Sequence, residues 1–272
     1  MNAWDLYGAR VGVMGGSKYG SAKRLETLRI NRRVPDNLSY HTAVMRPGNA
    51  GYCVMGEDPY ANAFEQKVAI INSDNLDEKY LYSMPGDEIA CGTLVDWMDN
   101  RWLVAEKDAN TTLYTRCKMI QCNYLVRWIG SDGQIYEQWC RIEDGTKYLT
   151  GELEDKNFIV SRGDSRIAMT IARNEQTARL GRNHRFLIDD SLSEMPIAYA
   201  LTKPLKLYTV YNGEGAYSFV LQECDTTDDD NRELMIADYY KRFPRTQDVD
   251  SHERAVIDND NISEETGRKV WL

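Results

Sequence analysis

Residues 91–140 read CGTLVDWMDNRWLVAEKDANTTLYTRCKMIQCNYLVRWIGSDGQIYEQWC and hold four of the six tryptophans, Trp97, Trp102, Trp128 and Trp139. Alternation is clearest in residues 122–128, CNYLVRW, where every second side chain is large enough to bury. A period of two is that of a half-buried strand, because successive side chains leave opposite faces of a sheet. Residues 130–133, GSDG, supply the dihedral freedom for a reversal, and residues 134–141 return as the partner strand. The whole stretch reads as an antiparallel β meander. It contains no catalytic motif.

The same pattern extends outward in both directions. Short apolar runs at 40–45, 52–55, 68–71 and 79–82 precede it, separated by turn material such as RPGN at 46–49 and GEDP at 56–59. Runs at 147–150, 157–161, 167–171 and 184–188 follow, then 198–202, 205–211 and 216–222, the last two joined by Asn212-Gly213. Many short strands at such spacing predict a barrel or sandwich. Residues 21–33 read as a helix with Leu25, Leu28 and Arg32 on one face and Pro35 as its stop. Residues 228–243 read as the strongest helix, with acids at the start, Lys241 and Arg242 at the end and Pro244 beyond. Leu234, Ile236, Ala237 and Tyr240 form its expected inward stripe.

The expected fold is mainly β: an antiparallel barrel or sandwich core, a second small β region, a basic N-terminal helix and one C-terminal helix. The expected divisions are a basic arm at 1–36, a main barrel domain at 37–190 carrying a 46–64 surface loop, a second β region plus helix at 191–244, and an acidic tail at 245–272. The boundary near 190 rests on the polar run DDSLSEMP at 189–196.

Motifs that carry chemistry are absent or incomplete. Residues 12–20, GVMGGSKYG, lack the Walker spacing and follow no clear strand. Cys117-x4-Cys122 is wider than a zinc knuckle, and His41, His184 and His252 show no paired spacing. Six cysteines thinly spread over 272 residues predict free, buried thiols rather than a disulfide framework. Residues 225–231, DTTDDDN, resemble a calcium loop but lack the turn glycine and the closing glutamate. His184 sits between cations in GRNHRF, a strand end rather than a general base. Carboxylates such as Glu137, Glu143 and Asp144 form no dyad identifiable from spacing. The expectation is a non-enzyme with no catalytic, cofactor or metal residues. No apolar run approaches the roughly 20 residues that span a bilayer, and the first residues lack an apolar signal core, so a soluble chain made in a cytoplasm is expected.

Charge is the informative quantity. The chain carries a net −9, yet residues 1–33 hold seven cations against Asp5 and Glu26, a local +5. An acidic body repels a phosphate backbone. The basic arm instead suits an acidic patch on a neighbouring protein. Trp4, Tyr7, Lys23, Arg24, Arg29, Arg32 and Arg33, with Trp271 and Leu272 of the polar tail, are the candidate partner interface.

Residues 85–97, PGDEIACGTLVDW, followed by 101–108, RWLVAEKD, resemble virion structural proteins of tailed bacteriophages, especially head-closure or head–tail connector proteins of phages of Gram-positive bacteria. Those proteins carry a similar run: "GD" before a strand ending in Trp, a short turn, then a "W-[LI]-V" strand closed by an acidic residue. Residues 122–128, the GSDG turn, Trp139-Cys140, residues 233–240 and Asp5-Leu-Tyr7 continue the likeness. This chain is longer than the small connector proteins. The resemblance implies a β-barrel core, a virion location and no cofactor. It also implies a homo-oligomeric ring bridging portal or adaptor proteins to tail proteins, with DNA only passing through the lumen and no membrane partner. A capsid decoration protein or a carbohydrate- or receptor-binding virion module is the alternative.

Overall fold

The computed structural model describes residues 3–13, 16–48, 53–109, 112–144, 165–190, 193–206, 210–211 and 213–245. Two N-terminal helices, α1 (Ala3–Val13) and α2 (Lys18–Arg33), lead through a short 3-10 turn at Val34–Asp36 into the β structure. Pro35 lies in that turn, so the helix stops where the proline predicts.

Six strands close an antiparallel barrel: β1 (Tyr40–Arg46), β3 (Phe64–Asn72), β4 (Glu78–Ser83), β5 (Leu94–Trp97), β6 (Asn100–Lys107) and β7 (Arg116–Gln121). Their order around the barrel is β1-β3-β4-β7-β6-β5, with β5 returning to pair with β1. Each strand sends one fully buried side chain to the shared interior: Met45, Val68, Leu81, Val95, Val104 and Met119. Alternation then aims Leu94 and Leu103 outward, and both are nonetheless fully buried. Their shelter is the second sheet.

That sheet comprises β2 (Cys53–Val54), β8 (Tyr124–Ile129), β9 (Ile135–Asp144), β10 (Arg166–Ala172), β11 (Arg185–Ile188), β12 (Ile197–Leu205), β13 (Val210–Tyr211) and β14 (Glu214–Cys224). Its main path runs β11-β12-β14-β10-β9-β2, with β8 paired to β9 and β13 to β14. The sheet curls until β8 and β11 approach, and the Tyr124 hydroxyl donates to the Leu187 carbonyl at 3.1 Å. Inside lie Val126, Cys140, Met169, Ile171, Phe186, Leu201, Phe219 and Leu221. The fold is therefore mainly β, with two barrel-like antiparallel sheets, N-terminal helices and a C-terminal helix.

The stretch 91–140 is antiparallel throughout, but it is divided between the sheets: β5, β6 and β7 belong to the barrel, β8 and β9 to the second sheet. The chain changes sheet at Cys122-Asn123. Position 190, where a boundary was expected, falls between β11 and β12, which pair with each other inside the second sheet. The strands expected at 147–150 and 157–161 lie outside the described residues. The run read as one strand over 205–211 includes the end of β12 and all of β13.

The sheets are joined by a small apolar cluster, Leu94, Leu103, Cys122, Ala172 and Ala216, flanked by Ile120 and Trp139. Beside it three glycines touch backbone to backbone. A Cβ on Gly48 would stand 2.7 Å from the Gly92 carbonyl oxygen, and one on Gly92 only 2.3 Å from that of Gly215. Gly92 also has φ +85, a left-handed conformation that glycine adopts without steric cost. Polar ties reinforce the junction. Arg141 reaches Asp77 in the β3–β4 turn and the Gln121 carbonyl, and the Arg101 guanidinium lies 4.2 Å from the centre of the Trp139 ring.

The helix expected over 228–243 is largely absent. Besides the five-residue α3 (Glu175–Arg179), the C-terminal helix α4 is only Tyr239–Arg242. Residues 225–238 instead wrap around the Arg185 side chain. Arg185 donates Nη1 to Asp230 and Asp238 at 3.0 and 2.9 Å, and Nη2 to Asp230 and the Asp225 carbonyl at 2.8 and 2.7 Å. Asp230 in turn accepts the Thr227 and Asp238 backbone N–H groups, both at 2.8 Å. Its side chain thus serves a loop instead of a helix start. Left-handed Met235 and Asp238, φ 56 each, close the tight turns, while Ile236 and Ala237 still point inward.

Candidate partner interface

The basic arm is built from two short helices with local caps. Gly16, φ +72, donates its N–H to the Val11 carbonyl at 2.7 Å, the left-handed glycine ending typical of helix C-termini. Ser17 then caps α2, its hydroxyl accepting the Gly20 N–H at 3.0 Å. Neither helix buries a single residue against the rest of the chain. Yet they carry Trp4, Leu6, Tyr7, Val13, Tyr19, Leu25 and Leu28, all more than half exposed.

The two helices distribute their side chains unequally. On α1, Trp4 and Tyr7 meet edge to face, ring centres 6.3 Å apart. On α2 a rotation of about 100° per residue separates two faces. One holds Thr27, Ile30 and the following Val34, all half-buried, and Lys23 and Thr27 line a depression with Pro85, Asp87, Glu88 and Tyr114 of the barrel. The other holds Leu25, Leu28, Arg29 and Arg32, which face solvent. Of the residues expected to form one interface, Arg29 and Arg32 share the outward face, and Trp4 pairs with Tyr7. Lys23 faces the barrel, Arg24 and Arg33 are exposed to either side, and Trp271 and Leu272 lie outside the described residues. Leu6, Tyr19, Leu25 and Leu28 join the exposed set; their signal in the sequence was apolar side chains among cations on a helix with no partner stripe.

The 46–64 loop is fastened to its own chain. Its Cys53–Val54 strand pairs with Glu137 and Tyr136 of β9, and Asp58 caps a turn by accepting the Tyr60 N–H at 2.9 Å. At its start Arg46 is buried, ion-paired to Asp96 at 3.0 Å and set 5.0 Å from the Tyr60 ring centre. Spacing alone did not reveal this pair, because its members are 50 residues apart.

Other reactive groups are quietly housed. Burial pushes the Cys91 thiol up to about 11 and those of Cys117 and Cys122 to about 12, so none is an available thiolate near neutrality. Burial lowers His184 to about 4 against the opposing pull of Asp238, and its ring packs on Phe186 with centres 4.9 Å apart. Among the described residues no group of three or more His, Cys, Asp or Glu is placed to hold a metal. The acidic loop that resembled a calcium site is filled by the Arg185 guanidinium. Among the described residues no helix is long and apolar enough to cross a membrane. Trp102 and Trp128 are core residues of the two sheets, 3% and 2% exposed, while Trp97 and Trp139 are half-buried.

No family model matches the chain, and no curated protein matches it. Among solved structures, MrkH of K. pneumonia in its apo state is similar over 78% of this chain and 90% of that one, at 10% identity and a TM-score of 0.24. A likeness at that level carries no argument about fold or activity.

Proposed function

We propose that this chain is a structural component of a tailed phage virion, a neck protein of the head-closure or connector kind. It assembles as a homo-oligomeric ring and bridges portal-side to tail-side components. The observation that carries the reading is the exposed apolar set of the arm. Helices of 11 and 16 residues without a buried side chain gain little from their own fold, and helices of that length are marginal alone in water. Their exposed tryptophan, tyrosine and leucines form the kind of apolar surface that marks a contact with another protein. The double-sheet body presents such an arm without needing a reactive site. The sequence resemblance to connector proteins points the same way.

Localisation tests the proposal. Gold-labelled antibody against the chain, applied to tailed particles assembled with it, is expected to decorate the junction of head and tail. Decoration confined to the capsid faces or the tail tip would overturn the neck assignment. Native mass spectrometry of the purified chain reads the ring separately.

A further inference from the structure

The outward face of α2 carries Leu25 and Leu28, 69% and 57% exposed, interleaved with Arg29 and Arg32. Among the described residues its one close ion contact is the exposed Arg29–Glu26 pair at 3.7 Å, which leaves most of this charge unanswered. Residues 246–267 have the complementary composition. They hold Asp248, Asp250, Glu253, Asp258, Asp260, Glu264 and Glu265 against Arg254 alone, a net −6, interspersed with Val249, Val256, Ile257 and Ile262. The two segments are opposite in charge and alike in carrying aliphatic side chains.

We propose that residues 246–267 of a neighbouring copy dock on the outward face of α2. The inference rests on the ring reading. A ring built by rotation needs two different patches on every copy, each facing the other patch of the next subunit. The α2 face and the acidic segment are such a pair. The contact is small, but a closed ring makes the final contacts intramolecular, so each interface holds at modest intrinsic strength. Its charge makes assembly weaken with salt, since exposed ion pairs are screened beyond about 8 Å at physiological ionic strength.

The experiment is charge exchange in the full chain, read by native mass spectrometry and sedimentation. One variant carries Arg29→Glu and Arg32→Glu; a second carries Asp258→Lys, Asp260→Lys, Glu264→Lys and Glu265→Lys. Wild type is expected to form a ring, and each variant alone to need at least about tenfold more protein for half-assembly. An equimolar mixture is expected to regain the wild-type ring with the variants alternating, which also demonstrates that both are folded. If both variants alone assemble as well as wild type, or the mixture restores nothing, the docking is wrong while the ring stands. A wild-type chain that stays monomeric at every concentration removes the ring reading and the docking together.

Discussion

At the scale of single residues, Arg185 gathers Asp225, Asp230 and Asp238 of the C-terminal segment around one guanidinium. Burial works against the charge of Asp230, but the Arg185 guanidinium and the Asp238 and Thr227 N–H groups outweigh it and hold the carboxyl below its usual range. Replacing one member of such a pair strands the other. Asp230→Asn is expected to cost about 3–5 kcal/mol in urea unfolding, with loss of protection in the amides of 227–238 by hydrogen exchange. His184 adds a pH dependence of definite sign. The unfolded chain takes up its proton near pH 6.5, whereas the folded ring resists until about 4. The stability is therefore complete above 6.5 and falls as pH drops toward 4, by on the order of 3 kcal/mol. His184→Phe should flatten the dependence of the urea midpoint between pH 7 and 4.5, and an unchanged slope would show that other groups carry it. None of this was legible beforehand. Arg185 and Asp230 are 45 residues apart, and only the fold brings them together.

At the scale of elements, most described strands were readable, whereas the helix at Ala3–Val13 was missed and the one expected over 228–243 is largely absent. Runs at 40–45, 68–71 and 79–82 are the hearts of β1, β3 and β4, because alternating apolar residues have one way to bury a face. The reading of 228–243 followed propensity and charge at the ends, which are weak when tertiary partners compete. Asp230 found Arg185, and the local preference lost. The arm was half legible: Leu25, Leu28 and Pro35 marked the second helix, but its start at Lys18 under the Ser17 cap was missed, and composition alone did not separate the face with Lys23 from the face with Arg29. Glycines marked turns in the sequence but not the contact among Gly48, Gly92 and Gly215. Gly92→Ala tests that contact. It forces a left-handed alanine into a carbonyl at 2.3 Å, and a loss of at least about 2 kcal/mol in the thermal or urea transition is expected. A neutral result would mean that the backbones separate easily.

At the scale of the whole molecule, the two sheets share a buried apolar junction and are expected to unfold together. Leu103 is fully buried in the junction cluster, so Leu103→Ala should cost about 2–5 kcal/mol and should lower both halves equally. Trp102 reports the barrel and Trp128 the second sheet. Single-tryptophan variants of each are expected to share one unfolding midpoint before and after the substitution, and two midpoints would refute the coupling. The overall mainly-β class followed from strand spacing, whereas the division at Cys122-Asn123 did not, because the crossing lies within one unbroken alternating pattern. The short pairing of Cys53–Val54 with Glu137 and Tyr136 has a bearing on how the chain is born. Every barrel strand finds its neighbours within residues 40–121, so the barrel can close on a growing chain soon after β7 leaves the ribosome. On that order, Cys53–Val54 is expected to stay unpaired until β9 is made. Its pairing would then join the earlier barrel to the later sheet, a latch set by the order of synthesis.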